Sequence, residues 1–454
     1  MRSFHKLPRS TSLIFALILL VIGALPLYAH EDPPPPKVLD ETLYRPTAMP
    51  DRVILTWSQN PARTQAVTWR TDVSVKKTLA QIAVAEAGPQ FVEKTKEFPA
   101  TTVEHQSDLG PAHYHSVNFS ELAPATKYAY RVGDGVNWTE WFQFLTASDK
   151  PAPFSFIYFG DAQNDVRAHW SRIIREAHSD APKARFIVHA GDLINRGNRD
   201  AEWGEWFGAG GWLNAMVPSV PTPGNHEYPR ITEDEDPREL SRHWRPQFTL
   251  PENGPKGLEE TVYWIDYQGT RIVCLNSNEQ RDRQVEWVDR ILSDNPNTWT
   301  VVTFHHPVFS TARGRDNPEV RKLWKPLFDK YKVDLVLQGH DHSYARFGQD
   351  VEENTSSGVN VQSQRTGTVY VVSVSGPKMY SIDRRSAMRR AAEDTQLYQV
   401  ISVDGDALRY EARTAIGELY DAFRLEKRPG QVNELVDEIP TTAERRRPPE
   451  TEPK

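Results

Sequence analysis

The chain has 454 residues, 38% of them hydrophobic and 25% charged, with a formal net charge of −7. Length alone suggests roughly two or three domains, and this balance excludes both a disordered chain and a polytopic membrane protein. No positive excess marks a nucleic-acid binder. The single cysteine, Cys274, excludes an intramolecular disulfide and any cysteine-built metal site, so a metal would fall to His, Asp, Asn or Glu.

Residues 1–29 read as an export signal. Arg2, Lys6 and Arg9 are basic, Leu13 to Leu25 is an uncharged apolar run, Pro26 breaks it, and Leu27-Tyr28-Ala29 offers a cleavage site. An uncleaved anchor is the alternative, although the run is short for a span. The mature protein is expected to be periplasmic or secreted, with no membrane span after cleavage. Residues 30–44 form a Pro-rich linker. From 45 to 148, short alternating runs such as Val53–Trp57, Ala66–Trp69, Gln81–Val84 and Lys127–Val132 are separated by turn residues, which predicts an antiparallel β-sandwich. Leu122 to Tyr130 resembles the corner of a fibronectin type III module. His113 and His115 share one side of a strand, where half-exposed structural positions are expected rather than ligands.

After residue 150 the rhythm becomes strand, loop, helix. Strands are predicted at 154–159, 185–190, 299–304 and 334–338. A hairpin is predicted at 261–276, and helices at 166–178, 284–292 and 319–333, the last kinked at Pro326. Such alternation predicts a layered α/β core. Five polar strings follow apolar runs within about 180 residues: Gly160-Asp161, Gly191-Asp192, Gly224-Asn225-His226-Glu227, His305-His306-Pro307 and Gly339-His340-Asp341-His342. Ligands gather beyond the carboxyl ends of strands in α/β sheets, and this set of oxygen and imidazole donors suits two adjacent divalent ions, Fe, Mn or Zn.

The order GD, GD, GNHE, HxP, GHxH resembles the calcineurin-like metallophosphoesterases. With the β-domain in front, including Thr68-Trp69-Arg70-Thr71 and Trp141-Phe142-Gln143-Phe144, residues 45–425 resemble the bacterial purple acid phosphatases. The resemblance implies a fold of an antiparallel β-sandwich followed, over 152–425, by a four-layer β-sandwich flanked by helices. It implies that Asp192 bridges two metals, that Asp161 and His342 bind the first, and that Asn225, His305 and His340 bind the second. His226 becomes the candidate that contacts phosphate and protonates the leaving group, while Glu227, Asp341 and His306 orient neighbours. The implied reaction is attack of a metal-activated hydroxide on the phosphorus of a small phosphate ester, with monoesters first. A phosphodiesterase or nucleotide hydrolase is the alternative on the same site, and a non-catalytic cell-surface binding protein is a third reading.

Two positions depart from the family. The Tyr that gives purple enzymes their colour would stand at 195, where this chain has Asn195, and the His of other members would stand at 163, where it has Gln163. Both amides are candidate ligands of the first metal, with water as the alternative. The loop 310–316 has no His, so Arg313 and Arg315 are candidate phosphate clamps, with plain surface exposure the competing reading. Residues 426–454, rich in Pro and charge, read as a loose tail in which Arg445-Arg446-Arg447 is a solvated run.

Overall fold

In the computed structural model the described residues are 37–232, 235–355, 358–361, 367–383, 388–428 and 430–448. The expected export signal and residues 30–36 of the Pro-rich linker lie outside them. Residues from Asp40 onward form one unit. Among the described residues no helix is long and apolar enough to cross a membrane.

Residues 51–145 build the expected β-sandwich from two four-stranded antiparallel sheets. One runs in the order Asp51–Thr56, Gln65–Thr71, Gly110–Phe119, Thr101–Ser107, and the other Lys96–Pro99, Leu79–Val84, Lys127–Gly133, Phe142–Leu145. Alternating inward residues Leu55, Val67, Trp69, Ile82, Phe119, Tyr130 and Phe144 meet between the sheets. At the corner, the Tyr128 hydroxyl accepts the Ala123 N–H at 2.8 Å and Leu122 is buried. His113 and His115 serve the sandwich itself. His113 Nδ1 meets the Val75 carbonyl, and the His115 ring nitrogens meet Thr71 and Thr102 hydroxyls at 2.7 and 2.9 Å.

The sandwich is welded to the domain behind it. Trp57 packs its ring 5.6 Å from Phe186 and 5.4 Å from Tyr267, and the Tyr130 hydroxyl donates to the Ala215 carbonyl at 2.7 Å. Arg52 forms a two-pronged ion pair with Asp200, and Arg70 reaches the same carboxylate.

The second domain has two seven-stranded mixed sheets. The first runs Ser219–Pro221, Ile187–His189, Phe154–Phe159, Leu397–Asp404, Ala407–Thr414, Leu419–Glu426, Glu434–Asp437. The second runs Tyr263–Tyr267, Thr270–Cys274, Trp299–Thr303, Leu335–Gln338, Val369–Val372, Tyr344–Phe347, Met388–Ala392. The sheets face each other, with helices outside. Central strands are apolar on both faces, which explains their unbroken hydrophobic runs: Val301, Leu335 and Leu337 join the core between the sheets, while Val302 and Val336 pack with residues of helices Val285–Ser293 and Pro318–Tyr331. On the other side, Ser171–Asp180 and Asp200–Gly210 cover the first sheet, joined by stacked Trp170 and Trp206. The expected helix at 166 begins as one wide π turn, Val166–Trp170.

The far C-terminal region corrects an expectation. Residues 430–448 are not a loose tail. Glu434–Asp437 adds a strand to Leu419–Glu426. Arg445, Arg446 and Arg447 pair with Glu418, Glu444 and Asp394, so the basic run is a set of clasps rather than a solvated stretch. Composition does not show this, because two of the partner carboxylates, Glu418 and Asp394, lie far away in the chain, and only Glu444 is local.

Candidate metal centre

The predicted strings converge because their strands run parallel within the two sheets: Phe154–Phe159, Ile187–His189 and Ser219–Pro221 in one, Trp299–Thr303 and Leu335–Gln338 in the other. Each strand therefore opens its carboxyl end toward the same edge. Two glycines are dictated by contact. A Cβ on Gly224 would lie 2.2 Å from Asp192 Oδ1, and one on Gly339 would lie 2.2 Å from Asp161 Oδ1. Asp192, His340 and His342 hold positive φ values of 52°, 77° and 42°. Non-glycine residues rarely sit there, and such strain concentrates at functional sites. The string from 339 is thus a sequence of turns, not an extended strand.

Two groups of donor atoms form, each within 4.8 Å: Asp161, Asp192 and His342, and Asp192, His305 and His340. Asp192 belongs to both. Asn225 Oδ1 lies 3.0 Å from His305 Nε2 and 2.9 Å from His340 Nδ1, and those two imidazole nitrogens are 3.1 Å apart. The second group is thereby completed with an amide oxygen. His342 Nε2 faces Asp161 Oδ2 at 3.1 Å.

These residues fit divalent cations. Asp161 Oδ2 is buried with no hydrogen-bond donor. His305 Nδ1 meets the Ala190 carbonyl at 2.9 Å and His342 Nδ1 meets the Lys378 carbonyl at 3.0 Å. Each ring therefore spends its N–H outward and turns Nε2 inward as an acceptor. Burial opposes a charge on His305, yet Asp192 and Asp161 push its pKa up to about 9. That field favours a cation at this point, and a metal ion answers it with the lone pairs left free.

The surrounding residues fix the geometry. Glu227, fully buried, accepts N–H groups from Asp192 at 2.9 Å, Leu193 at 2.9 Å and Gly224 at 2.7 Å, so one carboxylate sets two of the five strings. Burial and the Asp192 charge push its pKa up to about 8, against the pull of the N–H donors it accepts, which lower it. Asp341 Oδ2 accepts the Thr311 and Ala312 N–H groups, tying the 310–316 loop to the last string. His306 Nδ1 pairs with the Ser277 hydroxyl at 2.8 Å and its ring lies 4.3 Å from His340.

The weaker candidates separate. Gln163 is fully buried with its amide nitrogen 2.9 Å from Asp192 Oδ2 and 3.0 Å from His342 Nε2, while its Oε1 has no partner. The amide end thus stands inside the first group, and turning it over brings its oxygen to the same place. Asn195 shows a backbone role: its carbonyl accepts from His226 Nδ1 at 2.5 Å and its N–H donates to Glu202 at 2.8 Å. His226, with its side chain 26% exposed, turns Nε2 to 3.9 Å from Asp192 Oδ2. Arg315 lies beside the site, donating to the His340 carbonyl at 3.1 Å and standing 3.5 Å from Asp341. Arg313 donates its backbone N–H to the Ser381 carbonyl.

A further strand end reaches the site without a motif of its own. After Val369–Val372 come Ser375 and Gly376, whose N–H groups both donate to the Asp161 carbonyl, then Lys378, and then Tyr380, whose ring lies 4.6 Å from His342. The available signal was an apolar run ending in Ser-Gly-Pro. No metal-capable side chain marked it.

Residues 154–344 match the calcineurin-like phosphoesterase family, and residues 50–146 match the purple acid phosphatase N-terminal domain. A Mycobacterium tuberculosis protein described as uncharacterized is 24% identical over 337 residues, 64% of this chain and 61% of that protein. The Fe(3+)-Zn(2+) purple acid phosphatase 12 of Arabidopsis thaliana is 24% identical over 378 residues, 76% of each chain. Among solved structures, purple acid phosphatase from yellow lupin, Lupinus luteus, superposes with a TM-score of 0.69 at 18% identity, covering 83% of this chain and 74% of that one. The match thus leaves more than a third of the M. tuberculosis relative's length uncovered. The chain carries a calcineurin-like metallophosphoesterase domain behind a purple acid phosphatase N-terminal domain.

Proposed function

We propose that this chain is an exported dinuclear-metal phosphoesterase that hydrolyses phosphate monoesters. The observation that carries the reading is the pair of donor groups sharing Asp192, with the partly exposed ring of His226 beside them. Asp161, Asp192 and His342 would hold one cation, with Gln163 as the added ligand. Asp192, Asn225, His305 and His340 would hold the other. Bound there, two divalent ions supply a nucleophile at neutral pH and neutralise phosphoryl charge.

The chain's own residues do the rest. His226 Nδ1 is tied to the Asn195 carbonyl, so Nε2 is the nitrogen that can hold a proton toward the leaving oxygen. Glu227 and Asp341 keep the ligand strings in register. Arg315 supplies cationic charge next to His340. Export rests on the apolar stretch Leu13 to Leu25 with its basic flank.

Hydrolysis of p-nitrophenyl phosphate and of bis(p-nitrophenyl) phosphate, with Mn, Zn or Fe restored after chelation, tests the proposal. It predicts metal-dependent turnover with the monoester preferred. Diester preference would transfer the site to phosphodiester chemistry, and no turnover with two metals bound would refute a hydrolase.

A further inference from the structure

A phosphate monoester brings two negative charges, and a site selective for it needs cations placed outside the metal pair. The segment Ser375 to Tyr380 is built against the first donor group. Ser375 and Gly376 donate N–H groups to the Asp161 carbonyl at 2.9 and 2.6 Å, His342 Nδ1 donates to the Lys378 carbonyl at 3.0 Å, and Tyr380 donates its N–H to the His342 carbonyl at 3.0 Å. Four hydrogen bonds thus hold this segment to two proposed ligands of one metal.

Two cations meet on the ring of Tyr380, which itself lies 4.6 Å from the His342 ring. The Arg315 guanidinium is 4.7 Å from its centroid and the Lys378 ammonium 5.4 Å. Arg315 has a matching carboxylate, Asp341, at 3.5 Å. Lys378 is half-buried, and no carboxylate stands within ion-pairing distance of it among the described residues. A half-buried lysine whose ammonium rests against an aromatic face beside a proposed metal ligand, with no counter-ion among the described residues, is a site for an incoming anion.

We infer that Lys378, held on Tyr380, is a phosphate-binding residue that selects the terminal dianionic phosphoryl group of monoesters over the single charge of diesters. The inference deepens the proposed function and rests on it for the identity of the substrate. Phosphate capture can be measured without turnover.

The test is calorimetric titration of the metal-loaded protein with inorganic phosphate, for wild type, Lys378→Met and Lys378→Arg, with bound metal counted in each. Methionine keeps the apolar stem over Tyr380 and removes the charge. A charge-assisted hydrogen bond is worth enough to weaken phosphate binding by about tenfold or more in Lys378→Met, with metal content unchanged and recovery in Lys378→Arg. The same Met variant should lose kcat/KM on p-nitrophenyl phosphate by about tenfold more than on bis(p-nitrophenyl) phosphate. Phosphate affinity within twofold of wild type, or equal losses on the two esters, overturns the role of Lys378. Absence of any ester hydrolysis by metal-loaded wild type would instead overturn the hydrolase reading, while the phosphate titration still decides for or against Lys378 as an anion-binding residue.

Discussion

The carboxylate of Glu227 accepts the backbone N–H of Asp192 at 2.9 Å, and through that bond it holds the residue common to both donor groups in a positive-φ conformation. The same carboxylate takes the Gly224 N–H at 2.7 Å, so it ties together the loops carrying Asp192 and Asn225. Replacing Glu227 by Gln puts an NH2 group where some of these N–H donors point. Groups that orient metal ligands typically cost ten- to a hundredfold in metal affinity when altered, so Glu227→Gln should weaken metal binding by about that factor in a competition titration with a chelator. Unchanged affinity would show that the strings hold their geometry without it.

Asp192→Asn should be more severe. Neutralising the residue shared by both groups removes the charge that would bind both cations, and activity on p-nitrophenyl phosphate should fall to below about 1% of wild type by comparison with other ligand losses. Elemental analysis of the purified variant should show less than one metal per chain. Wild-type turnover in Asp192→Asn would remove Asp192 from its bridging role.

The interface between the sandwich and the catalytic domain predicts a pH dependence. Asp200 is buried, which by itself raises its pKa, but Arg52 and Arg70 hold it below the usual carboxylate range. A carboxylate whose folded pKa is depressed contributes stability that is fully present above its unfolded pKa, near 4, and is lost as pH falls through the lower folded value. Asp200→Asn leaves two buried guanidinium groups short of a partner and should cost about 3–5 kcal/mol at pH 7. Chemical denaturation at pH 7 and again below pH 4 checks this. The gap between variant and wild type should narrow in acid.

Position 195 predicts an optical property. Asn195 presents its carbonyl to His226 and offers no phenolate, so the iron-loaded protein should lack an intense visible charge-transfer band. Absorption spectra before and after reduction decide it. A strong band lost on reduction would mean that another phenolate reaches the metal.

Much of the candidate site was legible because a metal centre would call for particular side chains at strand ends. Asp161, Asp192, Asn225, His305, His340 and His342 stood in five short strings, and parallel strands brought all six together. Lys378 and Tyr380 were not legible, because their place depends on strand Val369–Val372 inserting beside Leu335–Gln338 and no ligand residue announces it. In the 310–316 loop the sequence leaves phosphate clamp and plain surface exposure open for Arg313 and Arg315, and the contacts from Asp341 and Arg315 that tie the loop to the last string cross a distance in sequence. In the fold, period-2 runs identified the sandwich, and helical spacing the outer helices Ser171–Asp180, Val285–Ser293 and Pro318–Tyr331 but not Asp200–Gly210. Strand Glu434–Asp437 was hidden, since a short edge strand rich in charge carries little apolar signal.

The most direct test of the account is hydrolysis of p-nitrophenyl phosphate by chelator-stripped protein titrated with Mn or Zn. The account predicts that activity is absent without metal and climbs to a plateau at two equivalents bound per chain. A plateau at one equivalent, or no hydrolysis with both sites filled, would contradict it.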